Sequence, residues 1–432
     1  MKIILNTLSF LFLSATLLGQ PAFTIEEAVA YAREHHAGLS NSRLEQQISA
    51  VEEERLESSW LPRVAASADV RYNPILQTTL LPAELSGGPG GELVEVQFGT
   101  SFSSALGLTV RQKVYDPVFQ VERELKALGG KRAALDEDFE NKRVGLRVRA
   151  AYFQALLNQE IFQNSQSLLA SLEQLRQDVQ VRVDNALESP NLLNTLNQQY
   201  RQQQSKIYVD SLNWQASLAG LKLEMHFPAM EEFHLADSLS LTMEDTLSLN
   251  TADNYDLQAY GFQLEESRKI LDRFGRSKLP TVDAEGYLGA QFFSQSPDLY
   301  NLKRWYGLSY LGLTASLPLY DGRDRRYGVQ IENLKMEQVR NQMQAYRVEQ
   351  DNEALRASIQ LESARAQARL AQQAIETAEK NLELERFNYQ NEVTGFQPVF
   401  DALQALANSR EQRISARAAY VQALLEALLL DL

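Results

Sequence analysis

Gly107-Leu108-Thr109, followed by Val114-Tyr115-Asp116, recurs as Gly312-Leu313-Thr314 followed by Leu319-Tyr320-Asp321. Upstream of each, Leu61-Pro62-Arg63-Val64 recurs as Leu279-Pro280-Thr281-Val282. The two pairs set the phase of an internal repeat, the feature that most constrains an architecture. Each half reads as a helix, two alternating stretches, a very long helix, a break and another helix. The repeats are placed at 21–227 and 251–432, joined by an acidic linker at 228–250 and preceded by a signal peptide at 1–20. Lys2 followed by an apolar run to Leu18 carries that last reading.

Around the repeated motifs the hydrophobic period is two. In Val64–Tyr72 the even positions Val64, Ala66, Ala68, Val70 and Tyr72 oppose Ser67, Asp69 and Arg71. In Phe98–Val114 the even positions Phe102, Leu106, Leu108 and Val110 oppose Ser103, Thr109, Arg111 and Lys113. Val282–Phe292 repeats the pattern. Tyr306–Leu319 starts with Tyr306, Leu308 and Tyr310 on even positions and then switches to Leu311, Leu313, Leu317 and Leu319. Such a switch predicts a bulge or a change of environment along the strand. Strands of about ten residues with one apolar face suit a membrane barrel. Alternation alone suits a soluble sheet with one buried face as well. Aromatic residues near the strand ends, Tyr72, Phe98, Phe102, Phe292, Phe293, Trp305 and Tyr306, fit an interfacial girdle.

After each motif a long helix is predicted. Asp116-Pro117 offers an N-cap acceptor followed by proline at the first helical position. Helix-compatible sequence then runs to Asp184, and in the second half from Asp321-Gly322 to Asn391. Roughly 65 to 70 residues at 1.5 Å rise make a helix of about 100 Å, too long for one globular core. Its partners are read as two shorter helices, Thr24–Trp60 and Pro190–Met225, with Asn254–Lys278 and Pro398–Leu430 in the second half. Ile161, Leu168 and Leu175 are spaced by seven, as are Leu172, Val179 and Ala186. Leu193, Tyr200, Ile207, Trp214 and Leu221 form another such line. Heptads mark coiled-coil packing. The fold class read here is therefore α+β, with long antiparallel helical hairpins and four strands per chain.

Composition narrows the function. Asp and Glu outnumber Lys and Arg by 56 to 42, which argues against a nucleic-acid partner. The chain has no cysteine, so disulfides, thiolate metal sites and a cysteine nucleophile are excluded. The four histidines include the adjacent pair His35-His36, around which no carboxylate constellation is expected. No phosphate loop or nucleophile elbow occurs. Neither a metal nor a cofactor is expected, and the chain does not read as an enzyme. Gly87-Gly88-Pro89-Gly90-Gly91 reads as a loop between two strands. The residues with a chemical task are expected at the helix breaks Asp184–Pro190 and Glu392–Pro398. There Asp184, Glu188, Glu392 and Asp401 could gate a passage as carboxylate rings do. They could equally be solvated acids near helix starts.

Taken together, the duplicated order, the paired Leu-Pro strand starts, the Tyr-Asp strand exits and Thr394-Gly395 followed by Val399-Phe400-Asp401-Ala402 resemble the TolC-like outer-membrane efflux family. The resemblance implies a homotrimer whose strands close a 12-stranded barrel in outer-membrane lipid and whose helices form a coiled-coil α-barrel in the periplasm of a Gram-negative bacterium. It implies docking to a periplasmic adaptor (membrane fusion) protein and an inner-membrane pump of RND, ABC or MFS type. It places an aspartate ring at Asp401 and Gln404, of which Asp401 alone matches. It places an aromatic and arginine latch at Glu392 and Gln397, and neither matches. The function implied is a passive exit duct; the other reading is a periplasmic coiled-coil tether without a pore.

Overall fold

The computed structural model describes residues 22–87, 89–91, 93–238 and 254–430. The expected signal peptide and most of the expected linker lie outside them. In chain order the elements are β1 (Ala22–Phe23), α1 (Ile25–His35), α2 (Ala37–Glu57), β2 (Arg63–Tyr72), β3 (Gln77–Pro82), β4 (Leu93–Phe98) and β5 (Phe102–Tyr115). There follow α3 (Phe119–Asp184), α4 (Pro190–Met225), β6 (His234–Leu235), α5 (Tyr255–Arg276), β7 (Thr281–Ser294), β8 (Trp305–Ser316), α6 (Asp324–Gln390) and α7 (Phe396–Leu430). They divide into a unit built on the sheet, Glu45–Ala134 with Ala259–Met343, and a helical unit from the rest of the described chain.

In the first unit four antiparallel strands lie in the order β2-β5-β7-β8. Directly paired residues of an antiparallel ladder share a face. Val64 pairs with Val110, Ala66 with Leu108 and Ala68 with Leu106. Leu108 pairs in turn with Leu288, and Gly286 with Leu311. The even positions of the first three strands therefore make one continuous apolar face. Asp69, Arg71, Arg111 and Glu285 lie on the other. The alternation fixed which residues share a face within a strand, and the register extends it across the sheet.

Three expectations about the strands are corrected. The run Phe98–Val114 is broken at Gly99, whose φ of 115° only glycine adopts freely, so Phe98 ends β4 and Phe102 begins β5. The β3–β4 hairpin was not expected, although Val94, Val96 and Phe98 of β4 alternate with Glu95 and Gln97; the glycine-rich stretch expected between two strands falls between these two in chain order. The phase switch in the last strand is not a bulge: β8 pairs with β7 in unbroken register from Thr281↔Ser316 to Phe292↔Trp305. The irregularity lies instead between Lys113 and Tyr115 of β5. The switch is a change of face. Tyr306, Leu308 and Tyr310 share the polar side with Glu285, whereas Leu311 and Leu313 join the apolar side.

The polar side has its own packing. Tyr287 stacks on Tyr310 with ring centroids 5.5 Å apart. Tyr310 Oη donates to Glu285 at 3.1 Å, and Arg111 lies 3.4 Å from the same carboxylate. A Cβ on Gly107 would sit 2.3 Å from Tyr287 Oη, so the ring lies flat on the sheet only because Gly107 has none.

In the helical unit, α1 begins at a capping box in which Thr24 and Glu27 satisfy each other's backbone N–H groups. Its apolar side, Ala28, Val29 and Ala32, packs on Val144, Val148 and Tyr152 of α3 and on Leu221 and Met225 of α4. Gly145 lets α1 approach, since a Cβ there would meet Arg33 Nη2 at 3.3 Å and Val29 at 3.6 Å. Tyr152 Oη donates to the Phe23 carbonyl at 2.7 Å and accepts from the Asp237 N–H at 3.3 Å. Burial pushes this phenol up to about 12.

Helix bounds differ from expectation where the backbone found other hydrogen bonds. The single helix expected at Thr24–Trp60 is interrupted at His36, which is extended (φ −72°, ψ 119°). Asp116 Oδ1 accepts from Val118 N at 3.1 Å, so α3 starts two residues after Pro117. Helix α7 starts at Phe396, with Pro398 inside its first turn, where proline costs no hydrogen bond. Of the heptad lines, Leu172, Leu175 and Val179 are buried as expected, but Ala186 lies beyond the helix and is exposed. The seven-residue spacing that buries α4 also runs through Leu196, Gln203 and Asp210. Ser165 Oγ donates to Asp210 at 2.5 Å and Gln203 Nε2 to the Ser165 carbonyl at 2.9 Å, which satisfies this polar layer.

Candidate functional site

Both helix breaks are tight turns of one kind. After α3, Leu187 N donates to the Arg182 carbonyl at 2.8 Å and Ala186 N to Val183 at 3.0 Å. After α6, Val393 N donates to Asn388 at 2.9 Å and Glu392 N to Tyr389 at 3.2 Å. This pairing closes the last carbonyls of a helix through one left-handed residue. That residue is Ala186 in the first tip and Glu392 in the second, each at φ 60°. Glycine is the usual occupant because a Cβ strains this region, so both positions hold some strain. Ser189 Oγ then accepts from Asn191 N at 3.3 Å, with Pro190 first in α4.

The two tips share one apolar core. Leu172, Leu175 and Val179 of α3 and Leu196 of α4 pack with Ile375, Leu382 and Tyr389 of α6 and Phe396, Val399, Phe400 and Leu403 of α7. Over it the Arg182 guanidinium lies 4.3 Å from the Tyr389 ring centroid. Burial, above all, pushes the Tyr389 phenol up, and Glu188 and Asp178 add to it while Arg182 opposes. The hydroxyl is buried without a hydrogen-bond partner.

Against this core the expected residues fall into two groups. Gln397, Asp401 and Gln404 lie on one exposed stripe of α7, opposite the buried Phe396, Val399, Phe400 and Leu403. Gln397 Nε2 donates to Asp401 at 2.8 Å. Asp184, Glu188 and Glu392 stand apart from that stripe. Asp184 is exposed and accepts from Gln180 at 2.9 Å. Glu188 is half-buried beside Tyr389, and Glu392 is exposed on its turn. Among the described residues none of these three bonds to Gln397, Asp401 or Gln404. The Arg182–Tyr389 contact was not foreseen, because its partners come from different hairpins and no spacing within either signals it.

The histidine pair departs from expectation. His35 stacks on Tyr31 with centroids 4.1 Å apart. His36 turns the other way, against His226 and Arg147, and the carboxylates Glu140 and Glu224 act on it. Carboxylates do surround it, brought from α3 and α4 by folding. Among the described residues no group of three or more acidic or histidine side chains is arranged to hold a metal.

The sheet presents a second surface. On its apolar face Val64, Leu108, Leu288, Leu311 and Leu313 are all exposed, Leu311 by 92 % and Leu313 by 74 %. The outer edges of β2 and β8 have no partner strand among the described residues. No helix among them is long and apolar enough to cross a membrane.

Comparison with known proteins agrees with this geometry. Residues 246–429 match the family described as Outer membrane efflux protein. No curated protein matches the chain. Among solved structures, the outer membrane protein VceC of Vibrio cholerae superposes with a TM-score of 0.71 at 13% identity, over 94% of this chain and 95% of that one. The open state of the MtrE outer membrane channel of Neisseria gonorrhoeae gives 0.71 at 14%, over 94% and 88%. The CmeC outer membrane channel of Campylobacter jejuni gives 0.69 at 14%, over 94% and 85%. At these identities the likeness is one of fold.

Proposed function

We infer that this chain is an outer membrane efflux protein and a passive exit duct, three copies of which close one barrel in the outer membrane of a Gram-negative bacterium. The observation that carries the reading is the exposed apolar face of a four-stranded sheet whose two edges have no partner strand among the described residues. An open edge is not tolerated in lipid, because its N–H and C=O groups would find no partners. Four strands cannot close a barrel, and membrane barrels begin at about eight. Three copies give twelve strands, with the apolar face toward lipid and the face of Arg111, Glu285 and Tyr310 toward the lumen. Tyr72, exposed at the end of that face, and the half-buried Phe102 and Trp305 then form part of an aromatic girdle, whereas Phe292 is buried.

In this reading the two halves, 21–227 and 251–432, descend from one duplicated unit, with 228–250 as the link and 1–20 as the export signal. The helical hairpins of the three copies line a periplasmic passage. Their tips, with Asp401 and Gln404 on α7 and Asp184, Glu188, Glu392 and Gln397 around them, border its end and meet a periplasmic adaptor and an inner-membrane pump. The duct moves solutes or proteins and catalyses no reaction. A coiled-coil tether without a pore is set aside, since 94% of the chain follows the fold of outer membrane channels.

Reconstitution of the purified protein in planar bilayers tests the reading. Discrete conductance steps from a species of trimer mass are expected. A mature protein that fractionates with soluble periplasm and gives no conductance overturns it.

A further inference from the structure

The junction between α1 and α2 holds a device that the duct reading leaves unused. His36 ends α1, its N–H donating to the Ala32 carbonyl at 2.7 Å. It also begins α2, its carbonyl accepting from Ser40 N at 3.1 Å and its ring Nδ1 from Gly38 N at 3.1 Å. The side chain thus caps the helix in the place that serine, threonine or aspartate usually takes. Unlike theirs, its acceptor disappears on protonation, because an imidazolium has only donors.

Every surrounding group bears on that proton. From the cap just past α4, the His226 ring meets His36 edge to face at 4.3 Å and 75°. From α3, Arg147 Nη2 lies 3.4 Å from His36 Nε2. A neutral imidazole has one acceptor nitrogen, so with Nδ1 accepting from Gly38 N the proton sits on Nε2, and the Arg147 contact is a close approach of two donors rather than a hydrogen bond. Glu140 on α3 and Glu224 on α4 are the opposing charges. Arg147 already lies 3.6 Å from Glu140 and 3.7 Å from Glu224, and Arg143 is paired with Glu140 as well. A second proton on His36 would also put a cation at the start of α2, where the helix dipole disfavours it. The room is limited: a Cβ on Gly38 would lie 3.0 Å from the His36 ring and 3.1 Å from Glu140 Oε1.

We propose that His36 is a pH-sensitive cap, which holds the first turn of α2 to the end of α1 when neutral and releases it when protonated in mildly acid surroundings. Burial first, then His226 and Arg147, hold the imidazole below its ordinary value, against the pull of Glu140 and Glu224. The sign follows from that direction. The unfolded chain takes up the proton first, so the stability contributed by the neutral ring is present above about pH 6.5 and is lost as pH falls through the lowered folded value.

Amide hydrogen exchange of the segment 36–44 in the full-length detergent-solubilised protein tests this, read between pH 7.5 and 5 and corrected with an unstructured peptide for the intrinsic pH dependence of exchange. Protection in the wild type is expected to fall roughly fivefold on acidification, the factor that loss of an N-cap bond gives. In His36→Asn, which caps without titrating, protection should match the wild type at pH 7.5 and stay level. Equal protection of the wild type at both pH values overturns the proposal. So does a fall in His36→Asn as large as in the wild type.

Discussion

The Arg182 guanidinium lies 4.3 Å from the centroid of the Tyr389 ring, joining the last turn of α3 to the last turn of α6. The two residues belong to different hairpins, so the contact ties one tip to the other. Cation–π pairs of this kind contribute about 0.5–1 kcal/mol when partly exposed. In a double-mutant cycle, Arg182→Gln and Tyr389→Leu should therefore lose less together than the sum of their separate losses, by about that amount. Tyr389→Phe should be neutral or stabilising, because it removes a buried hydroxyl that has no partner. Unfolding followed by circular dichroism reads both, and strict additivity of the pair would show that the contact contributes nothing.

Asp401 is exposed and accepts a hydrogen bond from Gln397. If the tips border the passage, Asp401→Ala removes one carboxylate per copy from its end. Cation preference, read as reversal potential across a salt gradient, should fall, and leak through the closed end should rise. Unchanged values would take Asp401 out of the aperture.

Leu313 and Thr314 are neighbours in β8 on opposite faces. With the apolar face in lipid, Leu313→Lys should cost about 2–4 kcal/mol near the bilayer midplane, less near an interface. Thr314→Lys would face the lumen and should be tolerated. The yield of heat-resistant trimer from outer-membrane fractions separates the two, and equal yields would contradict the assignment of faces.

Gly107 has no room for a side chain under Tyr287. Gly107→Ala should cost about 1–3 kcal/mol through overpacking. Tyr287→Ser in the same chain should recover much of the loss. A lone Gly107→Ala variant as stable as the wild type would mean that the ring can lift from the sheet.

Tyr152 supports the strand pair β1–β6 by bonding Phe23 and Asp237. Tyr152→Phe removes one of two donors to the Phe23 carbonyl, which keeps Ala236 N at 2.9 Å, and takes the phenol oxygen from the Asp237 N–H, so it should cost about 0.5–1.5 kcal/mol. The raised phenol gives a sign for alkali. Its contribution is complete below about pH 10 and is lost as pH rises through about 12. Thermal melts of wild type and variant should converge above that range.

What could be read from the chain was whatever repeats locally. Leu172, Leu175 and Val179 declare a helical seam through their spacing, and Val64 to Tyr72 declare a half-apolar strand through alternation. The breaks near 184 and 392 were visible because helix-compatible sequence stops there, although the left-handed residues are Ala186 and Glu392 rather than glycine. The polar layer of Ser165, Gln203 and Asp210 was not legible. Polar residues in a seam resemble solvated ones until their partners are known. The cap at His36 escaped for the same reason, since nothing in the run Arg33–Ser40 states that Arg147 and His226 will lie beside it.

Periodicity and length by themselves determined the long helices, the positions near which they end and the alternating strands of the four-stranded sheet, but not the β3–β4 hairpin or the break at His36. What they determined follows from the geometry of a helix turn and a strand pleat, which each segment carries wherever it goes. The tertiary structure alone decided the pairing of Leu108 with Leu288, the turn of Tyr306, Leu308 and Tyr310 to the polar side, and the seat of Arg182 over Tyr389. Each joins residues far apart in the chain, and only packing chooses between partners that look equivalent within their own segments.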